Sequence, residues 1–567
     1  MKVTDSRRLT GPNLQSCAAG AIVEVSFEQQ DSADALIADW RKRMGQIAEL
    51  LPFSIGALKV RRYRGGAAFF VEAPIDALYA TTEANEWAVE TVISESRGDQ
   101  APDLSAAVSK IEETYSGEVS PLMMRLIAEA NARGIPVLWD DDDFSIGYGC
   151  YSKTFSRSKL PTPDDVPWTA LDSIPVVLVT GTNGKTTTAR ILSRILQVSG
   201  RTVGNSSTDG IQLNGVFLDE GDWTGPGAAR MILRHPEIDA AVLETARGGL
   251  LRRGVGVNAC DAAIVTNVAD DHLGEYGIFD LTDLAMTKGL VYSVVKEDGV
   301  RVINMDDAHA SALAGLHDTR AIWTFQHTPA EWSSHRASGG WAVHVEHGRF
   351  CLSRGDETQD LIAVDDVPLA RGGTAKYDIS NVLAAIALAI GIGVESTAIK
   401  IALQQFGRSW QDNPGRGQST IINGVHILMD FAHNAHGVTA VLDRVTSQLG
   451  ADGRLSVSVS QAGDRSIDDI RQMVSAIVKA KPDRIYLRDL PERYRRGRTP
   501  DETRAIFTQF FLEFGVSADA IHPARHEVHS LNQALSWAKE GDHILHMVHL
   551  ERDAVFDRLT TLGADVS

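Results

Sequence analysis

The stretch from Val176 to Thr188 constrains the fold of this chain more than any other part of the sequence. Four consecutive apolar residues, 176–179, predict a buried parallel strand. The next five residues, 180–184, are rich in glycine and too few to form anything but a tight loop. After Lys185 the apolar residues recur at helical spacing. The order strand, glycine-rich loop and helix predicts an α/β fold built around a phosphate-binding loop.

Such a loop favours an anion because its backbone N–H groups and the helix N-terminus point at one spot. Lys185 adds a positive charge for the β- and γ-phosphates of a nucleotide, and the Thr186 hydroxyl is placed to bind Mg²⁺. The general pattern requires glycine where Val179 stands, so this chain has a shorter form, Gly-x-x-Gly-Lys-Thr-Thr. A glycine-rich turn that binds nothing is the alternative. We predict ATP and Mg²⁺ as cofactors. The predicted nucleotide-binding residues of the loop are Gly181, Thr182, Asn183, Gly184, Lys185, Thr186 and Thr187.

Composition limits the class of protein. The 567 residues accommodate three or four domains, at ~150 residues each. The net charge of −19 argues against nucleic acid or anionic lipid as partners, and the longest apolar run, 382–394, is too short to cross a membrane. The four cysteines lie far apart, and the N-terminus lacks the apolar core of a signal peptide, so we expect reduced thiols in a cytoplasmic protein.

Residues 1–156 are predicted to form a first α+β unit, with strands at 21–27, 67–71 and 135–139 and helices at 34–51 and 121–132. Four consecutive acids, Asp140 to Asp143, form either a solvated turn or a metal site; the turn is favoured because like charges repel and no partner ligands are evident. Residues 157–175 contain four prolines with little periodicity and are predicted to be a linker.

A second unit is predicted from 176 to 412. Its strands at 239–244 and 262–267 each end in a polar cluster, where α/β proteins place their sites. Glu244 ends the first strand and His272 follows the second. A carboxylate and an imidazole beside a phosphate site are suitable metal ligands. A structural histidine in a loop is the alternative for His272.

Two short motifs flank the first unit: Arg8-Leu-Thr-Gly-Pro-Asn13 and Ile146-Gly-Tyr-Gly-Cys-Tyr151. Both resemble segments of cyanophycin synthetases, and the short phosphate loop resembles that of Mur ligases, the superfamily to which they belong. The resemblance implies three domains: an α+β N-terminal domain, a P-loop central domain with a parallel sheet, and a Rossmann-like C-terminal domain at 413–567. In cyanophycin synthetases an ATP-grasp domain, which adds aspartate to the polymer backbone, lies where this chain has residues 157–175. We therefore expect that activity to be absent.

The resemblance also implies roles for individual residues. The implied catalytic residues are Lys185, Glu244, His272, Lys288 and Arg416. The implied metal ligands are Thr186, Glu244 and His272. Further implied nucleotide contacts are Asn381, Arg416 and Asp430. The implied substrate contacts are Thr208, Asp209, Thr224, His433 and Asn434, to which the basic run 493–498 adds Arg495 and Arg496. That run is either a solvated turn or a binding site for carboxylates, and Lys288 is either a carbamylated lysine or an exposed helix lysine. The family usually has Asn where Asp378 stands, as an adenine contact, and an acid lacks its amide donor.

The function that the resemblance implies is ATP-dependent joining of a carboxylate to an amine through an acyl phosphate. We expect a small-molecule or peptide acceptor with a free carboxylate and an amino acid or dipeptide as amine donor. A homo-oligomer is expected, and neither nucleic acid nor membrane is expected as a partner. The alternatives are another Mur-type reaction, such as glutamate addition or amidation with a separate glutaminase, and a non-catalytic nucleotide-gated binding protein.

Overall fold

The computed structural model describes residues 1–28, 32–271, 273–488 and 490–564. His272, which the sequence suggests as a metal ligand, lies outside the described residues. Within them the strands form four sheets, two wholly antiparallel in the first part of the chain and two mostly parallel in the rest. The predicted α/β class is confirmed.

The first unit is an antiparallel sheet with strand order β1-β2-β4-β3, covered by helices, followed by a small three-stranded antiparallel sheet. A buried amide, Asn85, joins helices to sheet: its Oδ1 accepts from Trp40 Nε1 at 2.9 Å and its Nδ2 donates to the Phe69 carbonyl at 2.9 Å. The elements are β1 (Lys2–Leu9), β2 (Gly20–Ser26), α1 (Ala33–Ala48), β3 (Leu58–Tyr63), β4 (Gly66–Glu72), α2 (Leu78–Arg97), α3 (Leu104–Glu118), α4 (Pro121–Ala132), β5 (Val137–Trp139), β6 (Asp143–Ile146) and β7 (Lys153–Ser156).

Residues 157–175 form three single turns of 3-10 helix. Val166 and Leu171 are buried in a hydrophobic cluster with Phe144 of β6 and Leu126 of α4. The segment therefore packs against the first unit along part of its length.

The central unit contains the largest sheet of the described chain, with strand order β11-β10-β9-β12-β8-β13-β14-β15-β16-β17-β18. The seven inner strands of this order, β9, β12, β8, β13, β14, β15 and β16, run parallel, and antiparallel hairpins extend both edges. The phosphate-loop strand β8 is central and wholly buried, which explains its uninterrupted apolar run. The elements are β8 (Val176–Thr180), α5 (Lys185–Val198), β9 (Val203–Ser207), β10 (Gly210–Leu213), β11 (Val216–Glu220), α6 (Pro226–Leu233), β12 (Ala240–Glu244), α7 (Arg247–Arg253), β13 (Cys260–Val265), α8 (Leu281–Gly289), β14 (Val295–Asn304), α9 (Ala308–Ser311), β15 (Ala321–Phe325), α10 (Trp332–Ala337), β16 (Trp341–Glu346), β17 (Arg349–Arg354), β18 (Glu357–Ala363), α11 (Lys376–Gly391) and α12 (Ser396–Gln405).

The last unit is a sheet of order β19-β20-β24-β21-β22-β23, parallel except for its edge strand β19. Helices pack on both faces of this sheet, as a Rossmann-like domain requires. The elements are β19 (Gln418–Ile422), β20 (Val425–Asp430), α13 (Ala435–Gln448), β21 (Leu455–Val459), α14 (Ile467–Lys479), β22 (Arg484–Arg488), α15 (Glu492–Arg495), α16 (Glu502–Glu513), β23 (Ile521–Ala524), α17 (Glu527–Trp537), β24 (His543–Met547) and α18 (Arg552–Thr561).

The two motifs that flank the first unit hold it against the central unit. Gly11 lies so close to the Val255 carbonyl that a Cβ there would sit 2.4 Å from the oxygen. A Cβ on Gly149 would likewise sit 2.2 Å from the Ile238 carbonyl oxygen. Close backbone approach therefore accounts for a glycine in each motif.

The acidic run at 140–143 belongs to the same junction. Asp140 accepts hydrogen bonds from the backbone N–H groups of Asp142 and Asp143, which makes a turn. Its other oxygen pairs with Arg234 of the central unit at 2.6 Å. The turn interpretation fits these contacts.

In the part of the chain that the structure describes, none of the helices has the length and apolar character to cross a membrane.

Candidate functional site

The phosphate loop joins β8 to α5 and is shaped by two glycines with positive φ, Gly181 at 146° and Gly184 at 84°. A Cβ on Gly181 would lie 1.9 Å from Thr266 Oγ1, and one on Gly184 would lie 2.2 Å from Asn381 Oδ1. Both glycines are thus required by backbone conformation and by close approach. Asn381, an expected nucleotide contact, lies directly against the loop.

The loop is anchored to the residues that follow β13. Asn267 accepts from the Thr182 N–H through its carbonyl and from the Asn183 N–H through its side chain, both at 2.9 Å. The Lys185 ammonium donates to the Gly181 carbonyl at 3.1 Å and to the Thr182 carbonyl at 2.9 Å. The Lys185 ammonium, which is expected to bind phosphate, therefore lies directly over the phosphate loop.

Glu244 ends β12 next to this loop and is 2% exposed. Its Oε2 accepts a hydrogen bond from the Thr186 hydroxyl at 2.8 Å, and its Oε1 has no hydrogen-bond partner among the described residues. Burial raises the pKa of Glu244, against the charges of Lys185 and Arg416, which lower it. A buried carboxylate oxygen without a donor fits a cation.

These side chains fit a Mg²⁺ ion whose other ligands are phosphate oxygens and water. Thr186 and Glu244 are oxygen ligands, which Mg²⁺ prefers, and it usually keeps several waters. Within the described ranges no three side chains of the types His, Cys, Asp and Glu converge on one point. The protein side chains described here would therefore supply only part of the coordination.

Lys288 is buried, so it is not an exposed helix lysine. It lies on α8, and its Nζ donates to the Gly181 carbonyl of the phosphate loop at 2.8 Å. Burial and then the charge of Lys185 lower its pKa to about 7. A side chain in this position supports the loop, and with a pKa of about 7 it is uncharged in about half of the molecules near pH 7.

Asp209 is the centre of a charged cluster that joins the central and last units. Within the described chain three arginines surround its carboxylate: Arg190 at 2.7 Å, Arg552 at 3.2 Å and Arg416 at 3.6 Å. Burial raises the pKa of Asp209, but the three arginines outweigh it and lower the pKa. Thr208 lies between Thr186 Oγ1, at 3.4 Å, and Arg416 Nη2, at 3.1 Å. The cluster brings Arg416 to the phosphate loop.

Two further contacts join the central unit to the last unit. Asn183 of the phosphate loop and Asn434 at the start of α13 exchange side-chain hydrogen bonds. Arg465, which follows β21, pairs with Asp271, the residue before His272. These contacts join the central and last units at the phosphate loop.

Asp430 is the remaining expected nucleotide contact, and Asp378 stands where the family usually has Asn. Asp430 accepts from the backbone N–H groups of Gly417 and Ala432, both at 2.7 Å. Asp378 is buried, and its Oδ2 has no hydrogen-bond partner in the described part of the chain. Burial raises the pKa of Asp378 to about 7, although Arg444 opposes this.

Three of the expected substrate contacts lie at the rim of the site. Thr224 lines a small cavity together with Glu244. His433 lies close enough to Asp271 and Arg465 for their charges to affect its pKa, which burial lowers to about 3. Arg496 pairs with Asp464, one residue before Arg465. The basic run thus covers the loop that contacts Asp271.

Sequence reasoning missed Arg190 and Arg552 as parts of the site. Each lies on a helix, where a lone arginine is usually solvent-exposed and gives no local signal. Arg465 does have a local signal in the sequence, because Gly463-Asp464-Arg465 follows a buried strand, where α/β proteins place their sites.

Comparisons with known proteins identify the relatives of this chain. The family model for the Mur ligase middle domain matches residues 179–389, and that for the Mur ligase glutamate ligase domain matches residues 415–547. A cyanophycin synthetase from Synechocystis sp. is 36% identical over 65% of this chain and 41% of its own length. The chain thus spans about two fifths of that relative.

Two solved structures share the fold. FolC of Escherichia coli in complex with DHPP and ADP has a TM-score of 0.50 and 20% identity, over 68% of this chain and 88% of FolC. A bifunctional folylpolyglutamate synthase/dihydrofolate synthase from Yersinia pestis, complexed with AMPPNP and Mn, has a TM-score of 0.51 and 19% identity, over 68% of this chain and 89% of the enzyme. The two family models together match most of the chain, with the phosphate loop and Glu244 inside the first. This chain belongs to the Mur ligase superfamily.

Proposed function

We propose that this chain is an ATP-dependent, ADP-forming carboxylate–amine ligase. The observation that carries the proposal is the juxtaposition of a phosphate loop with a buried acid. The Thr186 hydroxyl, next to Lys185, donates to Glu244, whose second oxygen meets no hydrogen-bond donor among the residues that the structure describes. A cyanophycin synthetase among its relatives supports the same class of reaction.

The reaction class follows from the chemistry of carboxylates. A carboxylate does not react with an amine at neutral pH, because oxide is a poor leaving group. Attack of a carboxylate oxygen on the γ-phosphorus of ATP gives an acyl phosphate and ADP, and attack of the amine on the carbonyl then expels phosphate. The protein must hold the reactants in line and neutralise their negative charge.

The residues of the site divide this task. Lys185 and the loop N–H groups would bind the nucleotide phosphates, and Arg416 would bring a second positive charge. Thr186 and Glu244 would hold Mg²⁺, with His272 as a further proposed ligand. When bound, Mg²⁺ neutralises phosphate charge and polarises the transferred group.

The acceptor is proposed to be a cyanophycin-like or other small peptide with a free carboxylate, and the donor an amino acid or dipeptide. The basic run at 493–498 is the proposed acceptor rim, since arginine forks bind carboxylates well. The basic run pairs with Asp464, and the next residue, Arg465, pairs with Asp271; these contacts support the assignment. We propose that the three units span residues 1–156, 176–412 and 413–567, and that residues 157–175 link the first unit to the second.

The test is a screen of ADP release from ATP over amino acids, dipeptides and cyanophycin-like peptides. We expect release that depends on an acceptor and an amine together. Glutamate as the productive amine, or ammonia from a separate glutaminase, would identify the other Mur-type reactions. Nucleotide binding without turnover on any substrate pair would support a non-catalytic binding protein and overturn the proposal.

A further inference from the structure

The loop at 270–279 follows β13, and the structure describes its residues 270–271 and 273–279; the second of these parts adopts left-handed backbone conformations. Gly274 and Gly277 have φ of 94° and 69°, and Tyr276, which is not glycine, has φ of 52°. A left-handed conformation is disfavoured for a residue with a side chain. Such a conformation persists where surrounding contacts enforce it.

The first unit supplies those contacts. Arg61 on β3 donates from Nη1 to the Gly277 carbonyl at 2.9 Å and from Nη2 to the Tyr276 carbonyl at 2.8 Å. The guanidinium of Arg7 on β1 lies 4.7 Å from the centre of the Tyr276 ring. The Tyr63 ring lies so close to Gly277 that a Cβ there would be 2.3 Å from it. Two carbonyls of the loop thus share one arginine fork, which fixes their relative position.

The other end of the same loop contacts the last unit and the phosphate loop. Asp270 accepts from Gln472 Nε2 of α14 at 3.1 Å, and Asp271 pairs with Arg465. At the base, the Thr182 hydroxyl of the phosphate loop donates to the Ala269 carbonyl at 3.1 Å and accepts from the Ala269 N–H at 3.0 Å. The loop is therefore a physical connection between all three units.

We propose that Arg61 and Tyr63 are positioning residues, through which the first unit holds the 270–279 loop so that Asp270 and Asp271 meet the last unit. The first unit contributes here because Arg61 supplies a donor to each of the two carbonyls, at Tyr276 and Gly277. The effect of these residues on turnover rests on the proposed function, whereas their effect on the loop does not.

The experiment is hydrogen–deuterium exchange of the full chain, read on peptides that cover 268–280, with Arg61→Ala and Arg61→Lys. Lysine keeps the charge and most of the side chain, but one ammonium does not reproduce the planar fork to both carbonyls. Arg62→Ala is the matched control, because Arg62 is the next residue of β3, is exposed and pairs with Asp34 on the surface. Successive residues of a strand face opposite sides, so the Arg62 side chain points away from the face that carries Arg61.

We expect exchange in the loop to accelerate about tenfold in Arg61→Ala and to a smaller extent in Arg61→Lys, since charge-assisted hydrogen bonds are lost. Arg62→Ala should match the parent. Where substrates are known, the KM for ATP should rise in Arg61→Ala, whereas a purely structural loss would lower the active fraction and leave KM unchanged.

Loop exchange in both Arg61 variants equal to that of the parent would overturn the proposal, and so would an equal acceleration in Arg62→Ala. If Arg61→Ala fails to fold, Arg61→Lys decides alone. If the parent releases no ADP on any substrate pair, the proposed function fails, but the exchange result still decides the role of Arg61.

Discussion

Asn183 in the phosphate loop and Asn434 at the start of α13 exchange two side-chain hydrogen bonds, of 3.2 and 3.1 Å, although 251 residues separate them. Asn434 also begins α13, because its Oδ1 accepts from the Gly437 N–H at 2.8 Å. One side chain thus starts a helix of the last unit and contacts the loop expected to bind phosphate. Contacts of this kind couple the closing of a cleft to the contents of the loop.

The two roles of Asn434 can be separated by substitution. Asn434→Asp keeps the acceptor at the helix start but removes the N–H donor to Asn183. We expect a melting temperature only slightly below that of the parent and a KM for ATP raised at least roughly 2- to 10-fold, because one hydrogen bond of ~0.5–1.5 kcal/mol is lost and a negative charge is added beside the phosphate loop. Asn434→Ala should lose both contacts and be less stable. Nucleotide kinetics with calorimetry check this, and an unaltered KM in both variants would refute the coupling.

Glu244→Gln should separate stability from metal binding. Burial raises the pKa of Glu244, so its ionised form is disfavoured in the folded, nucleotide-free protein, and the neutral amide should raise the melting temperature at neutral pH. The same change removes a metal ligand and should raise the Mg²⁺ concentration needed for half-maximal activity at least roughly tenfold. His272→Ala is expected to raise the Mg²⁺ requirement too. A Mg²⁺ titration identical to that of the parent for both variants would remove these residues from the metal site.

Asp378 should make stability fall as pH rises. Burial raises its pKa from the usual 3.8 to about 7, so the folded chain keeps a proton that the unfolded chain releases near pH 4. At a pH between these two pKa values, unfolding releases a proton. The free energy of unfolding therefore decreases as the pH rises from about 4 to about 7. Asp378→Asn keeps the shape and removes this dependence.

The measurement for Asp378 is thermal unfolding of Asp378→Asn and the parent at pH 5 and pH 8. We expect the variant to be more stable at pH 8 by ~1–3 kcal/mol and the difference to shrink at pH 5. Arg444 keeps the Gly417 carbonyl at 2.7 Å as a partner in the variant. A stability difference that is the same at both pH values would show that Asp378 does not titrate in this range.

The acceptor rim is tested by charge reversal. Arg495→Glu with Arg496→Glu should raise the KM for the acceptor at least roughly tenfold, because like charges placed together cost several kcal/mol, and should change the KM for ATP little. Arg525→Glu, an exposed position of the same unit, is the control. Equal acceptor KM values for the double variant and the parent would return 493–498 to the solvated-turn interpretation.

Local patterns in the sequence were sufficient for the elements nearest the site. The apolar run of β8, the loop glycines and helix α5 follow from composition and spacing, and α4 was predicted at its observed bounds. Helix α2 was not predicted, because buried polar residues such as Asn85 blur its amphipathic pattern. The antiparallel hairpins at the edges of the central sheet were also missed.

The parts of the site that were missed depend on long-range contacts. Asp209 and Arg552 are 343 residues apart in sequence, and no local pattern records their pairing. The sequence alone does not decide whether Lys288 is a carbamylated lysine or an exposed helix lysine, since lysine on a helix is usually exposed. Its burial under the phosphate loop depends on the packing of α8 against the loop that follows β8.

The proposed reaction requires that the acceptor carboxylate be phosphorylated before the amine attacks. Once the ADP screen has found an acceptor, its carboxylate is labelled with oxygen-18, and the phosphate released is analysed by mass spectrometry. Lys185→Ala, expected to be slower by roughly 10²–10³, is the control. We expect one labelled oxygen in each phosphate, because the attacking carboxylate oxygen leaves with phosphate when the amine displaces it. Phosphate without label, released together with the amide product, would show that the carboxylate is not phosphorylated.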